Sequence, residues 1–198
     1  MKKIPCLFQR EFQGKNKAIL LDAVTPGCEW VLAGEGVATR KWDGTACLVK
    51  DGQLFKRYDA KHGKPTPVGF IPAQEKADEV TGHFPGWVPV VEGDPGSKYH
   101  LETFLYEKSY VTDDWTYELV GPKFQGNPEN LPKHLLVRHA GYLILGVERT
   151  FEGIRQFLSE SAVEGIVFWR NPENPDSDMA KIRRKDYGLP WPVVGRQV

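Results

Sequence analysis

The sequence contains no long hydrophobic run. No window of its 198 residues approaches the roughly 20 apolar residues that a transmembrane helix requires. The first residues, MKKIPCLFQREFQGK, have no apolar stretch behind their lysines, so they do not resemble a secretion signal. These absences argue against a membrane-spanning or secreted protein. We expect a soluble, cytoplasmic protein with no membrane partner.

The usual patterns of metal-binding cysteines and histidines are also lacking. The three cysteines, Cys6, Cys28 and Cys47, are widely spaced and form no C-x-x-C pair, and the five histidines show no H-E-x-x-H spacing. The sequence therefore predicts neither a zinc site nor a redox centre. We expect the three cysteines to be buried thiols.

Net charge is absent as well, because 26 lysines and arginines balance 26 aspartates and glutamates. No overall positive field indicates a nucleic-acid-binding protein, although a local basic groove is compatible with a neutral total. The chain is 40% hydrophobic and 12% aromatic, and neither repeats nor a change of composition divide it. These features predict a single domain over residues 1–198.

Helical periodicity is scarce, and the apolar residues mostly alternate with polar ones. Together with fifteen prolines and twenty glycines, this pattern indicates a β-rich protein. VATRKWDGTACLVKDGQLFKRYD (37–59) predicts a hairpin that turns at Asp51-Gly52. Further strands are predicted at residues 87–91, 116–121, 142–147, 164–170 and 178–184.

Two segments predict helices. TFEGIRQFLSES (150–161) has Thr150 as its N-cap, followed by an apolar stripe of Phe151, Ile154, Phe157 and Leu158. In SKYHLETFLYEK (97–108), Leu101, Phe104 and Leu105 are expected to face inward. The polar, proline-rich residues 61–86 are expected to form a long surface excursion.

Several strands contain charged residues among apolar ones. ATRKWDGTACLV (38–49), which reads as one strand, contains Lys41 and Asp43, although burying an isolated charge costs roughly several kcal/mol. The same mixture recurs downstream at Lys56 and Arg57 in LFKRYD, Glu118 in YELVG, Glu164 in EGIVFW, and Lys181 and Arg183 in AKIRR.

Each of these segments also has a structural explanation. K-x-D-G is compatible with a solvated strand end, Glu118 and Glu164 with ordinary salt bridges, and AKIRR with an edge strand that exposes a cationic face. Taken together, however, an amine, several cations and two carboxylates are the parts of a phosphoryl-transfer site whose nucleophile is a lysine.

The order of these segments resembles motifs I, Ia, III, IV and V of the covalent nucleotidyltransferases, the superfamily of polynucleotide ligases and capping enzymes. The resemblance extends over residues 38–188. KWDGTACLV, YELVGPKFQGNPENL, VEGIVFW and MAKIRRKDYGLPW are most similar to the compact ATP-dependent RNA ligases. This resemblance implies an α+β nucleotidyltransferase (adenylation) domain of largely antiparallel sheets with a few flanking helices. Few residues follow Tyr187, so no C-terminal oligonucleotide-binding barrel is expected.

The resemblance also implies the roles of the reacting residues. Lys41 would attack the α-phosphate of ATP as a free amine, release pyrophosphate and keep AMP on its nitrogen. Lys181 and Arg183 would grip the α-phosphate. Glu164 would serve Mg²⁺ or Mn²⁺, and Asp43 would orient the lysine and the metal-bound waters.

The remaining assignments concern the nucleotide. Arg57 would hold a phosphate or the ribose, Glu118 would contact the ribose hydroxyls, and Val167 would pack on one face of adenine. The backbone around Arg40 would read the adenine edge. A second residue that stacks on adenine is expected within HLLVRHAGYLILG (134–146).

The activity that the resemblance implies is RNA ligation. Such an enzyme joins a 5′-phosphate to a 3′-hydroxyl through an enzyme-adenylate and an RNA-adenylate. Three alternatives stay open: an enzyme that adenylates itself and passes AMP elsewhere, a DNA nick ligase or capping enzyme, and a non-catalytic nucleotide- or RNA-binding module. A test for one added AMP separates the last of these from the others.

Overall fold

The computed structural model describes residues 2–14, 18–61, 63–79 and 82–193. The strands are β1 (Phe8–Phe12), β2 (Ala18–Val24), β3 (Val37–Lys41), β4 (Thr45–Lys50), β5 (Gln53–Lys61), β6 (Ile71–Pro72), β7 (His83–Pro89), β8 (Thr116–Val120), β9 (Leu135–Arg138), β10 (Leu143–Ile144), β11 (Gly165–Trp169) and β12 (Met179–Arg183). The α-helices are α1 (Glu29–Leu32), α2 (Lys98–Glu107) and α3 (Phe151–Glu160). All pairs between these strands are antiparallel, which confirms the predicted α+β class. Within the described ranges, no helix has the length and hydrophobicity of a membrane span.

The chain forms two compact units, each built from separate stretches of sequence. The first unit consists of the residues up to Lys3 together with Asp43–His139. The second unit consists of Ile4–Trp42 and the residues from Ala140 onwards. The expectation of a single domain over residues 1–198 stays a prediction.

The first unit contains a six-stranded sheet in the order β6-β7-β5-β4-β8-β9. Its central hairpin, β4–β5, confirms the predicted turn. Asp51 and Gly52 both have positive φ, 51° and 71°, as the tight primed turn requires.

Helix α2 of the first unit forms where it was predicted, but it buries a different face. His100, Thr103 and Phe104 are buried, whereas Leu105 is 59% exposed. The inward orientation expected for Leu105 is therefore wrong. Neighbouring residues lie about 100° apart around a helix, so a stripe through positions 100, 103 and 104 turns Leu105 away from the core.

The second unit contains a four-stranded sheet, β10-β3-β11-β12, a two-stranded ribbon, β1-β2, and helices α1 and α3. Ile154 and Leu158 of α3 are fully buried in a core with Ile166, Phe168 and Ile182 from the sheet. Thr150 is the N-cap of α3, because its Oγ1 accepts a hydrogen bond of 3.0 Å from the N–H of Gly153. Both the helix and its cap confirm the prediction.

Residues 38–49 do not form one strand, which corrects the sequence interpretation. β3 ends at Lys41 and lies in the sheet of the second unit, whereas β4 begins at Thr45 and lies in the sheet of the first. Between the two strands, the N–H groups of Asp43 and Gly44 donate to side-chain carboxylates instead of to a neighbouring strand. Gly44 also lies against the carbonyl of Leu119, where a Cβ atom does not fit.

The other predicted strands are partly confirmed. The strands predicted at 116–121, 164–170 and 178–184 are present as β8, β11 and β12. Of the strand predicted at 142–147, only Leu143–Ile144 forms a strand. The strand predicted at 87–91 begins earlier, at His83. The stretch 61–86 therefore contains β6 and the start of β7, and its residues 62, 80 and 81 lie outside the described ranges. β1, β2 and β9 were not predicted. β1 after its buried first residue, Phe8, and most of β2 are exposed on both faces, so they show no alternation of buried and exposed residues.

Candidate active site

Lys41 is the last residue of β3 and lies opposite Gly165 of β11. On the other side of β11, Gly165 lies opposite Arg183 of β12. Residues that lie directly opposite each other in antiparallel strands share a face of the sheet. Lys41 and Arg183 therefore point to the same side of the sheet in the second unit.

Glu164 lies immediately before β11, and its carboxylate contacts the predicted nucleophile. Glu164 Oε2 is 2.5 Å from Lys41 Nζ, and the two side chains are only 8% and 22% exposed. The backbone of Glu164 is fixed as well, since its carbonyl accepts a bond of 2.8 Å from the N–H of Arg184. The structure thus brings together two predicted site residues, and the salt-bridge partner of Glu164 is Lys41.

Lys181 and Arg183 alternate with the buried Ala180 and Ile182 along β12, so both cations lie on the face of the strand opposite the core. The outer side of β12 is hydrogen-bonded to the N-terminal segment: Leu7 N–H donates to the Lys181 carbonyl and Lys181 N–H to the Pro5 carbonyl. β12 is therefore not the open edge strand of the structural alternative.

Lys181 and Arg183, the two cations that β12 contributes to this face, have different electrostatic surroundings. Burial lowers the pKa of Lys181 to about 8, and the positive charges of Arg183 and Lys41 contribute to the shift. The guanidinium of Arg183 is held by both carboxylate oxygens of Asp186, at 3.0 and 2.8 Å. Folding therefore disfavours the charged form of Lys181, whereas the charge of Arg183 is paired with Asp186.

Val167 lies on the same sheet face as Lys181, which is its partner on β12. Arg40 points to the other face, where its guanidinium lies over the ring of Trp42, 3.8 Å from the ring centre. The N–H of Arg40 donates to the Tyr142 carbonyl, and the Tyr142 ring meets Trp42 edge-on. Tyr142 belongs to the stretch 134–146 in which a second adenine-stacking residue is expected.

Glu118 and Arg57 lie in the sheet of the first unit. Glu118 of β8 is paired with Ala46 of β4 and Val137 of β9. Burial lowers the pKa of Arg57, but the negative charges of Asp59 and Glu118 oppose the shift. The negative charge of Glu118 therefore favours the charged form of Arg57. The neighbouring Lys56 instead pairs with Asp94 at 2.6 Å.

Asp43 and Gly44, which complete motif I, are held through their backbone. The N–H of Asp43 donates to Glu129 Oε1 at 3.0 Å, and the N–H of Gly44 donates to Glu118 Oε1 at 3.1 Å. Gln125 Nε2 donates to the Gly44 carbonyl at 3.2 Å. Glu129 is a buried carboxylate, only 3% exposed.

Sequence reasoning did not identify Gln125, Glu129 or His139, whose ring contacts Glu118 at 3.0 Å. Gln125 and Glu129 belong to the motif-like stretch YELVGPKFQGNPENL, and His139 belongs to HLLVRHAGYLILG. In the sequence, each of the three is only a polar residue near a predicted strand, and this pattern is too common to indicate a role.

No protein-family profile matches the chain. Among curated proteins, the chain is similar to RNA ligase 1 of Pongo abelii, with 29% identity over 275 aligned positions, which cover 97% of this chain and 82% of the relative. RNA ligase 1 of Rattus norvegicus is 25% identical with the same coverage. RNA ligase 1 of Danio rerio is 26% identical, and the match covers 98% of this chain. The chain is thus similar to these RNA ligases over nearly its whole length.

The resemblance of the motifs to those of the compact RNA ligases implies a divalent metal ion. The described residues contain no cluster of three or more histidine, cysteine or acidic side chains that suits a metal ion. Magnesium commonly binds one or two carboxylates and takes its other ligands from phosphates and water. Glu164, beside Lys41, is a single carboxylate that would hold such an ion, which would then neutralise charge on phosphates.

Proposed function

We propose that the chain is an ATP-dependent RNA ligase that joins a 5′-phosphate to a 3′-hydroxyl through lysyl-AMP at Lys41 and an RNA-adenylate. The observation that supports this most is the position of Lys41 in the second unit. Its amine contacts Glu164 on a sheet face that also presents Lys181 and Arg183. Motifs I, IV and V thus supply an amine, a carboxylate and two cations to one surface.

In the first step, Lys41 Nζ attacks the α-phosphorus of ATP. A nitrogen–phosphorus bond forms, the bond to the bridging oxygen breaks, and pyrophosphate leaves. The proton that the amine must lose lies within hydrogen-bond reach of Glu164 Oε2. Lys181 and Arg183 offset the negative charge that develops on the phosphate oxygens. Mg²⁺ or Mn²⁺, when bound at Glu164, would supply further charge neutralisation for the phosphates.

The nucleotide contacts remain as the motifs imply. Val167 packs on adenine, the backbone at Arg40 reads the adenine edge, Glu118 accepts hydrogen bonds from the ribose hydroxyls, and Arg57 binds a phosphate or the ribose. Asp43 orients the lysine and the metal-bound waters.

The later steps use RNA, the substrate that the name of the relatives indicates. The 5′-phosphate of one RNA end attacks the phosphorus of lysyl-AMP, which frees Lys41 and yields RNA-adenylate. The 3′-hydroxyl of the other end then attacks the 5′-phosphate and AMP leaves. We place this reaction in the cytoplasm.

The test is intact-mass analysis after incubation with ATP and Mg²⁺. The wild-type protein should gain the mass of one AMP and lose it again when 5′-phosphorylated RNA with a 3′-hydroxyl end is added. Lys41→Ala should gain nothing, because it lacks the nucleophile. Lys50→Ala, which removes an exposed lysine at the end of β4, is the matched control and should behave as wild type.

The other outcomes identify the alternatives. An adduct that RNA does not discharge would indicate an enzyme that adenylates itself and passes AMP to another acceptor. Absence of any adduct in the wild type would indicate a binding module. An adduct on Lys41→Ala would show that the motif I assignment is wrong.

A further inference from the structure

A histidine outside the recognised motifs holds the motif III carboxylate. His139 follows β9 directly and lies beside Glu118 in the sheet of the first unit. His139 Nε2 is 3.0 Å from Glu118 Oε2, while the other carboxylate oxygen, Oε1, accepts the N–H of Gly44 at 3.1 Å. Each oxygen of Glu118 therefore has its own partner, a histidine ring for Oε2 and a backbone amide for Oε1.

His139 is itself fixed at four points. Its N–H donates to the Thr116 carbonyl, its carbonyl accepts from Trp115 Nε1, and its Nδ1 contacts Thr116 Oγ1, each at 3.0 Å. When the Thr116 hydroxyl donates to Nδ1, the neutral ring has its proton on Nε2 and donates it to Glu118. Thr116 and Glu118 together thus hold both nitrogens of the His139 ring.

This arrangement leaves part of the Glu118 carboxylate available. An ionised carboxylate has roughly four acceptor positions, and the ring and the Gly44 amide occupy one on each oxygen. The remaining positions suit two hydroxyl donors. The side chain is 13% exposed, so a ligand can reach it, but its orientation depends on the two bonds that hold it.

We propose that His139 is a positioning residue that orients Glu118 toward the ribose hydroxyls of ATP and so favours ribonucleotides over deoxyribonucleotides. This inference rests on the proposed function, in which Glu118 contacts the ribose. His139 acts through Glu118 and touches no substrate. Without it, one carboxylate oxygen loses its charge-assisted partner and the group rotates away from the geometry that receives a hydroxyl.

The experiment compares self-adenylation with ATP, 2′-deoxy-ATP and 3′-deoxy-ATP over a range of nucleotide concentrations. With ATP, His139→Ala should raise KM roughly tenfold, the size expected for one lost hydrogen bond to a charged group, with a smaller effect on kcat. With the analogue that lacks the hydroxyl bound by Glu118, the same substitution should have almost no effect. His139→Gln, whose amide also donates, should restore part of the KM.

Two further variants control for structural damage. Thr116→Val keeps the shape of the residue and leaves His139 in place, but it removes the hydroxyl that contacts the ring, so it should reproduce the substrate dependence of His139→Ala more weakly. His83→Ala breaks a matched histidine–carboxylate pair with Asp59 in the same sheet and should leave all three KM values unchanged.

The outcomes separate the two proposals. The positioning role is refuted if the wild type adenylates itself and His139→Ala raises KM equally with all three nucleotides, or with none of them. The proposed function would still stand. If the wild type forms no adduct with any nucleotide, the proposed function fails. An increase in KM that is seen with ATP but disappears with one of the two deoxy analogues supports the inference.

Discussion

At the residue scale, the buried position of Lys181 lowers the free energy of unfolding of the protein. Its folded pKa of about 8 lies below the ordinary value of 10.5 because burial and neighbouring cations oppose the charge. Between these values the unfolded chain binds more protons than the folded one, so the free energy of unfolding of the wild type rises with pH in this window.

Lys181→Met should therefore stabilise the protein and impair the reaction. Below pH 8 we expect an increase of ~2 kcal/mol in the free energy of unfolding, less than the full pKa shift implies because the side chain keeps some solvent contact. The gain should vanish as the pH approaches 10.5, where the wild type has lost the same charge. Urea titrations at pH 7 and pH 9.5 measure the difference, and the rate of AMP-adduct formation should fall on the order of 10² to 10³.

Lys185→Met is the matched control, because Lys185 is exposed two residues beyond β12. It should change neither the stability nor its pH dependence. If Lys181→Met keeps the wild-type rate of adduct formation, the motif V assignment loses its basis. If the variant is less stable than wild type at pH 7, burial does not oppose the charge as the structure indicates.

The sequence predicted which residue types the site needs, but it did not predict their contacts. Lys41, Glu164, Lys181 and Arg183 were chosen because charged residues are costly inside apolar strands. The direct contact between Lys41 and Glu164 joins residues 123 positions apart, and it follows only from the pairing of β3 with β11. His139 and Glu129 were missed because they lie beside strands or in a polar loop, where the sequence does not show that a polar side chain is buried.

At the scale of elements, local chemistry predicted well where it alone determines the structure. The Asp51-Gly52 turn and the Thr150 cap were correct because positive φ and an unpaired helix amide are local requirements. The break between β3 and β4 was missed because the side chains that replace strand pairing, Glu118 and Glu129, come from distant parts of the sequence.

The cap of α3 gives a test at this scale. Thr150→Ala removes the acceptor of the Gly153 N–H and should lower the free energy of unfolding by about 1 kcal/mol. Thr150→Ser keeps the acceptor and should cost only a few tenths of that amount. Urea denaturation of both variants measures the effect. If Thr150→Ala is as stable as wild type, the cap contributes nothing to the stability of this helix.

At the scale of the whole molecule, the α+β class was predictable, but the two compact units were not. Each unit is assembled from separate stretches, and the chain passes from one unit to the other between Lys3 and Ile4, Trp42 and Asp43, and His139 and Ala140. A change of composition along the sequence marks a boundary only when a unit is contiguous. Two of these crossings fall at motif I and at His139, so the chain changes units beside residues to which we assign roles.

The proposed reaction as a whole predicts that its steps are separable. RNA supplied with AMP already on its 5′-phosphate does not require attack by Lys41. Lys41→Ala should therefore seal this RNA while failing to use ATP. A gel assay for the joined strand, run with and without ATP on 5′-phosphate and 5′-adenylated RNA, distinguishes the two capacities. Failure of Lys41→Ala on both substrates, with an unchanged melting temperature, would mean that Lys41 is required beyond the first step.

Lys181→Met completes this comparison, because the positive charge of Lys181 is proposed to act on the phosphate oxygens and not on the nucleophile. The sealing step still leaves negative charge on the phosphate oxygens, so the loss of Lys181 should slow both adenylation by ATP and sealing of 5′-adenylated RNA. The variant is expected to be at least as stable as wild type below pH 8, so a slower reaction cannot be ascribed to unfolding. If Lys181→Met slows adenylation but seals 5′-adenylated RNA at the wild-type rate, Lys181 acts on the nucleophile or on pyrophosphate release and not on the phosphate that both steps share.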